Sequence, residues 1–188
     1  MNVLVISASP NRDGLTAACA AAAIEGARQA DGQAEEIRLN DLIVGMCEAC
    51  DNGWGTCRPD HECQVKDDFQ PLHQRMLRAD ACVLVTPVYW GEMSESAKAF
   101  ADRLRRCEST RGAESGLTGV PVIAVAAAGG SGNGMVTCLL SMERWIDQLR
   151  ARKFDLIPVN RWSCEYKLAA IREAVRTMVQ EIASSDGL

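Results

Sequence analysis

Three hydroxyl side chains lie close together near the start of the chain, in the segment S-A-S-P-N-R-D-G-L-T at residues 7–16. Ser7 and Ser9 follow a short apolar run, and Thr16 comes just after Gly14, where an Ala-rich helical pattern begins. Hydroxyl groups and the free backbone N–H groups of a helix start form a nest of neutral donors that suits a phosphate group. The structural alternative is a plain turn followed by a helix cap.

The chain carries neither of the two common nucleotide-binding patterns. G-x-x-x-x-G-K-[ST] is absent, which argues against a triphosphatase, and G-x-G-x-x-G is absent, which argues against a dinucleotide site. The hydroxyl-rich segment therefore predicts a bound monophosphate.

Two further segments combine aromatic and glycine residues in a way that suits a flat ring. In T-P-V-Y-W-G at residues 86–91, Tyr89 and Trp90 are adjacent at the end of a strand-like run. These aromatics could instead pack under the next helix or in a subunit contact. In A-A-A-G-G-S-G-N-G at residues 126–134, the small residues allow backbone N–H groups to approach a planar ligand closely.

Four of the nine cysteines form the pattern C-x2-C-x6-C-x5-C, namely Cys47, Cys50, Cys57 and Cys63. This spacing suits four thiolates gathered on one metal ion or cluster, since Cys-x-x-Cys turns place both sulfurs on the same side. The alternatives are zinc or another structural metal, and thiols that are unliganded or redox-active. His61 and His73 could replace a ligand, but lone histidines near a loop are expected at the surface. The other cysteines are expected to be small buried hydrophobes: Cys19, Cys82, Cys107, Cys138 and Cys164.

Short apolar runs alternate with helical patterns along the whole chain, as in a parallel sheet covered by helices. Strands are predicted over 3–6, 34–39, 81–86, 121–127 and 154–159, and helices over 15–30, 69–78, 94–107, 134–150 and 165–183. Continuous apolar strands indicate that both faces of the sheet are buried. We expect one α/β domain over 1–188, a doubly wound five-stranded parallel sheet of order 2-1-3-4-5 in three layers, with a Cys-rich loop at about 40–68. Ligands bind such sheets at the carboxyl ends of the strands.

Charge and composition narrow the classes of partner. Twenty Lys and Arg against twenty-five Asp and Glu give a net charge of −5, which disfavours nucleic acid. No secretory or membrane-spanning pattern is visible, so a cytoplasmic protein without membrane contact is expected. The helix pattern L-L-S-M-E-R-W-I indicates a homo-oligomer, a dimer or tetramer. Lys98, Asp102 and Arg103 are interpreted as a solvated or intersubunit salt-bridged helix face.

The three loop segments, in this order over nearly the whole chain, resemble those of flavodoxin-like NAD(P)H-dependent FMN reductases, particularly the iron-sulfur flavoprotein branch. The resemblance implies an FMN phosphate held by the first segment and a flavin ring bordered by the other two. It also implies a [4Fe-4S] cluster at the four cysteines. The FMN contacts it implies are Ser7, Ser9, Asn11, Thr16, Pro87, Val88, Tyr89, Trp90, Gly91, Ala128, Gly129 and Gly130.

No catalytic side chains are predicted, because a flavin carries its own redox chemistry. The expected activity is hydride transfer from NAD(P)H to FMN, followed by electron transfer to a quinone, a nitro or azo compound, or another small or protein acceptor. Tyr89 and Trp90 would form a wall on the substrate side. The alternatives are a non-catalytic flavodoxin-type electron carrier and a Cys-based metal or redox sensor on the same fold.

Overall fold

The computed structural model describes residues 1–185, so the last three residues of the predicted domain lie outside the described part. Strands and helices alternate within it. In chain order they are β1 (Asn2–Ser7), α1 (Leu15–Gln29), β2 (Gln33–Arg38), α2 (Phe69–Met76), β3 (Ala81–Tyr89), β4 (Glu92–Met93), α3 (Glu95–Glu108), β5 (Pro121–Ala128), α4 (Met135–Gln148), β6 (Arg152–Asn160) and α5 (Cys164–Ser185). Short 3-10 turns occupy Leu39–Asp41, Asp51–Gly53 and Ser109–Glu114.

The five long strands form a parallel sheet in the order β2-β1-β3-β5-β6. This is the predicted flavodoxin-like order, 2-1-3-4-5 among the long strands, and it confirms the fold. The two-residue strand β4 was not predicted. It pairs antiparallel with the end of β3, across a sharp turn at Trp90 and Gly91.

Alternate residues of the central strands face two separate hydrophobic cores. Leu4 and Ile6 of β1 belong to the core that α2, α3 and α4 cover, whereas Val3 and Val5 belong to the core under α1 and α5. The predicted three layers are therefore confirmed. Both faces of each central strand are buried, which explains why these strands are continuously apolar.

Helices α1 and α5 approach each other very closely at one glycine. A Cβ added to Gly26 would lie 2.2 Å from the carbonyl oxygen of Arg172. No side chain fits between the two backbones at this point, and the close contact fixes α1, whose first turn borders the loop after β1.

Within residues 1–185, no helix has both the length and the apolar character needed to cross a membrane.

Candidate functional site

Three loops meet at the carboxyl edge of the sheet, as the parallel order requires. The first loop (residues 8–14) follows β1, the second loop (residues 90–94) surrounds β4 after β3, and the third loop (residues 129–134) follows β5. The Ser94 hydroxyl donates a hydrogen bond of 2.8 Å to the Ala8 carbonyl, and the Ala8 N–H donates to the Val85 carbonyl at 3.0 Å. These bonds join the first loop to β3 and to the start of α3.

The second and third loops touch through two glycines. Gly134 has φ +80°, and a Cβ added to it would lie 2.6 Å from the Gly91 Cα, which itself has φ +83°. L-residues with side chains rarely adopt this conformation, and the space for a side chain is absent as well. Glycine at both positions therefore lets the second loop pack on the start of α4.

The first loop and the first turn of α1 present hydroxyl donors that meet no acceptor among residues 1–185. Thr16 is buried, yet its hydroxyl makes no hydrogen bond to any of residues 1–185. Ser9 accepts a bond of 3.2 Å from the Asn11 N–H, and the hydrogen of its own hydroxyl has no acceptor in the same part of the chain. Gly14, the residue before α1, supplies no side-chain cap, so the first N–H groups of the helix are also free. These donors fit a phosphate group.

Ser7 differs from the other predicted phosphate residues. Its hydroxyl donates to Glu36 Oε1 at 2.9 Å, so its donor is already used. Asn11 lies exposed in the first loop, and its Oδ1 accepts from the Asp13 N–H at 3.4 Å. Its side-chain amide N–H groups remain available.

The end of β2 contributes charged residues that sequence reasoning missed. Arg38 pairs with Asp41 at 3.4 Å and donates to the Ser9 carbonyl at 3.4 Å, while the exposed Arg12 pairs with Asp41 at 2.6 Å. Arg38 also lies 4.0 Å from Glu36, so two carboxylates balance the two cations and the free donors of the first loop are neutral groups. The predicted strand order 2-1-3 could have identified these residues, because it places the carboxyl end of β2 beside the first loop.

The residues predicted to border a ring line the same edge. Pro87 pairs in register with Ala127, Val88 pairs with Met93, and Ala128 pairs with Asn160. Nothing lies within 4 Å of a Cβ added to Gly129 or Gly130, and both glycines are exposed. The third loop therefore offers bare backbone with open space above it, which fits a planar group.

Trp90 is fully exposed. The alternative that it packs under the next helix, α3, is therefore wrong. Trp90 forms the tip of a two-residue hairpin with Gly91, and their φ values of +53° and +83° are those of a type I′ turn. A bulky residue in the left-handed region is strained by roughly 1–2 kcal/mol. Tyr89, next to it, is about two-fifths exposed, at 39%. Such strain often accompanies function.

Replacing Trp90 with asparagine is expected to raise the free energy of unfolding by about 1 kcal/mol, because asparagine tolerates the left-handed conformation. Urea unfolding of the variant and the wild type measures this difference. Trp162→Asn is the matched control, since Trp162 is also exposed but has an ordinary φ; its effect should stay within about 0.5 kcal/mol. Equal stabilities of Trp90→Asn and wild type would show that the hairpin is not strained.

The four predicted ligand cysteines all line one pocket, beside α3. All nine cysteines of the chain are free thiols. Among the described residues, no three His, Cys, Asp or Glu side chains are arranged to share one metal ion. A tetrahedral zinc site needs its sulfurs within about 4 Å of each other, given Zn–S bonds of about 2.3 Å. The thiolates of a [4Fe-4S] cluster bind four separate iron atoms and stand further apart.

Arg103 corrects the interpretation of its helix face as solvated. It is 1% exposed, and its guanidinium donates to both carboxylate oxygens of Asp67, at 2.5 and 2.9 Å. It also donates to the Gly45 carbonyl at 3.0 Å and to Cys63 Sγ at 3.3 Å. The sequence did hold a signal, since Arg103 falls in the buried stripe of Phe100, Leu104 and Cys107. Lys98 and Asp102 form an exposed ion pair, as expected.

The electrostatics of Asp67 follow from these contacts. Burial alone would raise the pKa of its carboxyl group, but hydrogen bonds from Arg103 and from the Gly45 and Phe69 N–H groups outweigh burial and lower the pKa. Asp67 therefore stays ionised and holds both ends of the Cys-rich loop against α3.

His73 corrects a second expectation, because it is completely buried rather than at the surface. Its Nε2 lies 2.7 Å from Glu108 Oε1, and the Ser115 hydroxyl donates to Glu108 Oε2 at 2.6 Å. Burial would raise the pKa of Glu108, but these hydrogen bonds outweigh it and lower the pKa. His61 instead places Nδ1 3.1 Å from the Cys107 carbonyl.

The remaining cysteines behave as predicted, with one exception. Cys19, Cys82, Cys107 and Cys138 are fully buried, whereas Cys164 is half-buried. Burial, with smaller contributions from the nearby Cys63 and Cys57 sulfurs, raises the pKa of the Cys107 thiol to about 12. Cys107 is therefore a protonated thiol at neutral pH.

Comparison with known proteins supplies a family context for this geometry. The profile of the family described as NADPH-dependent FMN reductase matches residues 1–152. An iron-sulfur flavoprotein from Methanosarcina thermophila is 29% identical over 103 residues, which cover 55% of this chain and 52% of that protein. A putative NAD(P)H-dependent FMN-containing oxidoreductase, YwqN, from Bacillus subtilis is 30% identical over 103 residues, covering 55% and 51%.

A solved structure described as a flavone reductase superimposes with a TM-score of 0.74 at 18% identity, covering 99% of this chain and 64% of that one. The likeness at this identity concerns the fold. The chain spans about half the length of the two curated relatives it matches.

Proposed function

Because the chain belongs to the NADPH-dependent FMN reductase family, we propose that it binds FMN across the three loops and works as an NAD(P)H-dependent FMN oxidoreductase. The observation that carries the proposal is the set of unpartnered neutral donors in the first loop, next to the bare backbone of the third loop. A ribityl phosphate needs such donors, and a flavin ring needs an open, flat support.

Each loop has a distinct part in this proposal. Ser9, Thr16 and the start of α1 hold the phosphate, with Asn11 beside them, while Ser7 supports the loop through Glu36. Gly129 and Gly130 leave room for the ring and direct backbone N–H groups toward it. When bound, FMN supplies the redox chemistry, taking a hydride from NAD(P)H and passing electrons to an acceptor.

The exposed aromatic residues define where substrates meet the ring. Tyr89 and Trp90 stand at the edge of the second loop with their rings open to solvent. They would wall the face on which NAD(P)H and the acceptor bind in turn, in a ping-pong reaction. The acceptor class that suits this open face is a quinone, a nitro or azo compound, or another small or protein acceptor.

We further propose that the four-cysteine pocket binds a [4Fe-4S] cluster. Cys47, Cys50, Cys57 and Cys63 line one pocket, and four thiolates are the ligands that such a cluster uses. A matched relative is named an iron-sulfur flavoprotein. A cluster would let a two-electron donor feed one-electron acceptors, so the pocket also favours electron transfer to a protein partner.

We also propose that the chain forms a homo-oligomer and works in the cytoplasm. Of the apolar residues in the pattern L-L-S-M-E-R-W-I, Leu139, Met142, Trp145 and Ile146 are buried in the core and only Leu140 is exposed. Leu140 lies one turn after the exposed Val136 on α4, and Trp90 is exposed in the second loop. A second copy of the chain would cover these side chains. Nine unpaired cysteines suit a reducing compartment, and the net charge of −5 does not suit nucleic acid.

Anaerobic purification followed by heat release and chromatography tests the function directly. The expected result is released FMN, a yellow native protein, and bleaching by NADPH or NADH with a rate constant of roughly 1–10³ s⁻¹. Iron, sulfide and zinc analysis of the same sample tests the pocket.

Each alternative gives a different result in this experiment. Slow reduction by both pyridine nucleotides with fast exchange with a redox protein would identify an electron carrier. A colourless protein that contains zinc and fails to bind added FMN would identify a metal-based sensor, and would refute the oxidoreductase proposal.

A further inference from the structure

Two arginine side chains line the four-cysteine pocket together with the thiols. Arg103 and Arg106 lie three residues apart on α3, so both point from the same side of the helix toward the loop. In both, the guanidinium Nε is buried and has no hydrogen-bond partner among the described residues. The Nε groups of Arg38 and Arg172 are also buried and unpaired, so the feature particular to this pocket is that two such donors lie beside four thiols.

The charge of Arg103 is already balanced. Its guanidinium makes two hydrogen bonds to Asp67, and its carbon Cζ lies 4.3 Å from the centre of the Phe69 ring. Its remaining contact with the pocket is the 3.3 Å hydrogen bond to Cys63 Sγ. Arg103 therefore orients Cys63 while adding little net charge.

The charge of Arg106 has no such balance. Its guanidinium donates to the Gly53 carbonyl and stacks on Trp54, with Cζ 4.1 Å from the ring centre. No carboxylate among residues 1–185 pairs with it. Glu48 lines the same pocket without forming an ion pair with Arg106, so this stacked, half-buried cation lies beside four thiols with no ion-pair partner among the described residues.

We propose that Arg106 is the counter-charge of the thiolate-bound centre in this pocket and raises its reduction potential, while Arg103 positions Cys63. The inference rests on the cluster of the proposed function. Four thiolates bring more negative charge than the [4Fe-4S] core brings positive charge, so the centre is anionic and becomes more so on reduction. A fixed cation nearby stabilises the reduced form more than the oxidised form. Hydrogen bonds to the ligand sulfurs act in the same direction.

The test compares Arg106→Gln, Arg106→Lys and wild type after anaerobic reconstitution with iron and sulfide. Arg105→Gln is the matched control. This substitution removes the same charge from the neighbouring position, but Arg105 contacts Gln148 and does not line the pocket. The readouts are iron and sulfide content and the midpoint potential of the cluster EPR signal in a redox titration.

Arg106→Gln is expected to lower the equilibrium constant for one-electron reduction about tenfold, which equals about 59 mV. Arg106→Lys should keep most of the wild-type potential, and Arg105→Gln should match wild type. If Arg106→Gln loses iron while Arg106→Lys keeps it, with equal folding by urea titration, the counter-charge role is supported too.

Two results would overturn the inference. One is full iron content with equal potentials in Arg106→Gln and wild type; the other is an equal shift in Arg106→Gln and Arg105→Gln. A wild-type protein that takes up no iron would instead refute the cluster itself. Iron analysis of the wild type therefore separates failure of the proposed function from failure of the arginine inference.

Discussion

Replacing Arg103 with methionine is expected to lower the free energy of unfolding by about 3–5 kcal/mol, the usual effect of removing one partner from a buried ion pair. Methionine preserves most of the side-chain volume and the contact with Phe69, but it leaves Asp67 ionised and 8% exposed without its cation. The bonds to the Gly45 carbonyl and to Cys63 are lost as well. Urea unfolding of the iron-free protein measures the change.

Lys98→Met provides the comparison on the same helix. Lys98 pairs with Asp102 at the surface, with side chains 47% and 40% exposed, and such pairs contribute at most about 1 kcal/mol. If both methionine variants lose the same small amount of stability, the Arg103 pair does not hold the Cys-rich loop against α3. Limited proteolysis should also cut the loop faster in Arg103→Met alone.

Replacing Thr16 with valine is expected to weaken FMN binding by about 10- to 100-fold. The two side chains have the same shape, so the helix start should keep its packing while one donor to the phosphate is removed. A hydrogen bond to a charged group contributes about 1.5–3 kcal/mol, and each 1.4 kcal/mol is tenfold in affinity. Quenching of flavin fluorescence on titration into apoprotein measures the dissociation constant.

Ser7→Ala is the matched control for this prediction. Ser7 lies in the same segment, but its hydroxyl already donates to Glu36 and is not free to donate to a phosphate. Its replacement should change FMN affinity by less than about fivefold, roughly 1 kcal/mol or below. Equal losses in Thr16→Val and Ser7→Ala, or no loss in Thr16→Val, would contradict the assignment of phosphate donors.

Much of the architecture could be predicted from the sequence. The predicted starts and ends of the five long strands and five helices lie within three residues of those observed. Continuous apolar runs such as V-L-V-I identified strands buried on both faces, because burial of this kind leaves a local signal. The meeting of three loops at one edge also followed, since parallel strands bring their carboxyl ends together.

Other features depended on partners that are distant in the sequence. Ser7 uses its hydroxyl on Glu36, which reaches it only because β2 lies next to β1. Trp90 adopts a left-handed conformation because β3 and the short strand β4 are joined by a two-residue turn. No pattern in the sequence predicted this conformation.

By itself, the sequence determined the strands and helices, because periodic apolar patterns and turn residues act locally. Their strict alternation then predicted the order of the sheet and the residues gathered at its carboxyl edge. Only the tertiary structure decided that Arg103 is buried against Asp67 and that Arg106 lies beside four thiols. The physical reason is that a charged side chain is predicted to be exposed unless a partner of opposite charge is known. The partner of Arg103 lies 36 residues away in the sequence. Such pairings leave no periodic trace in the sequence.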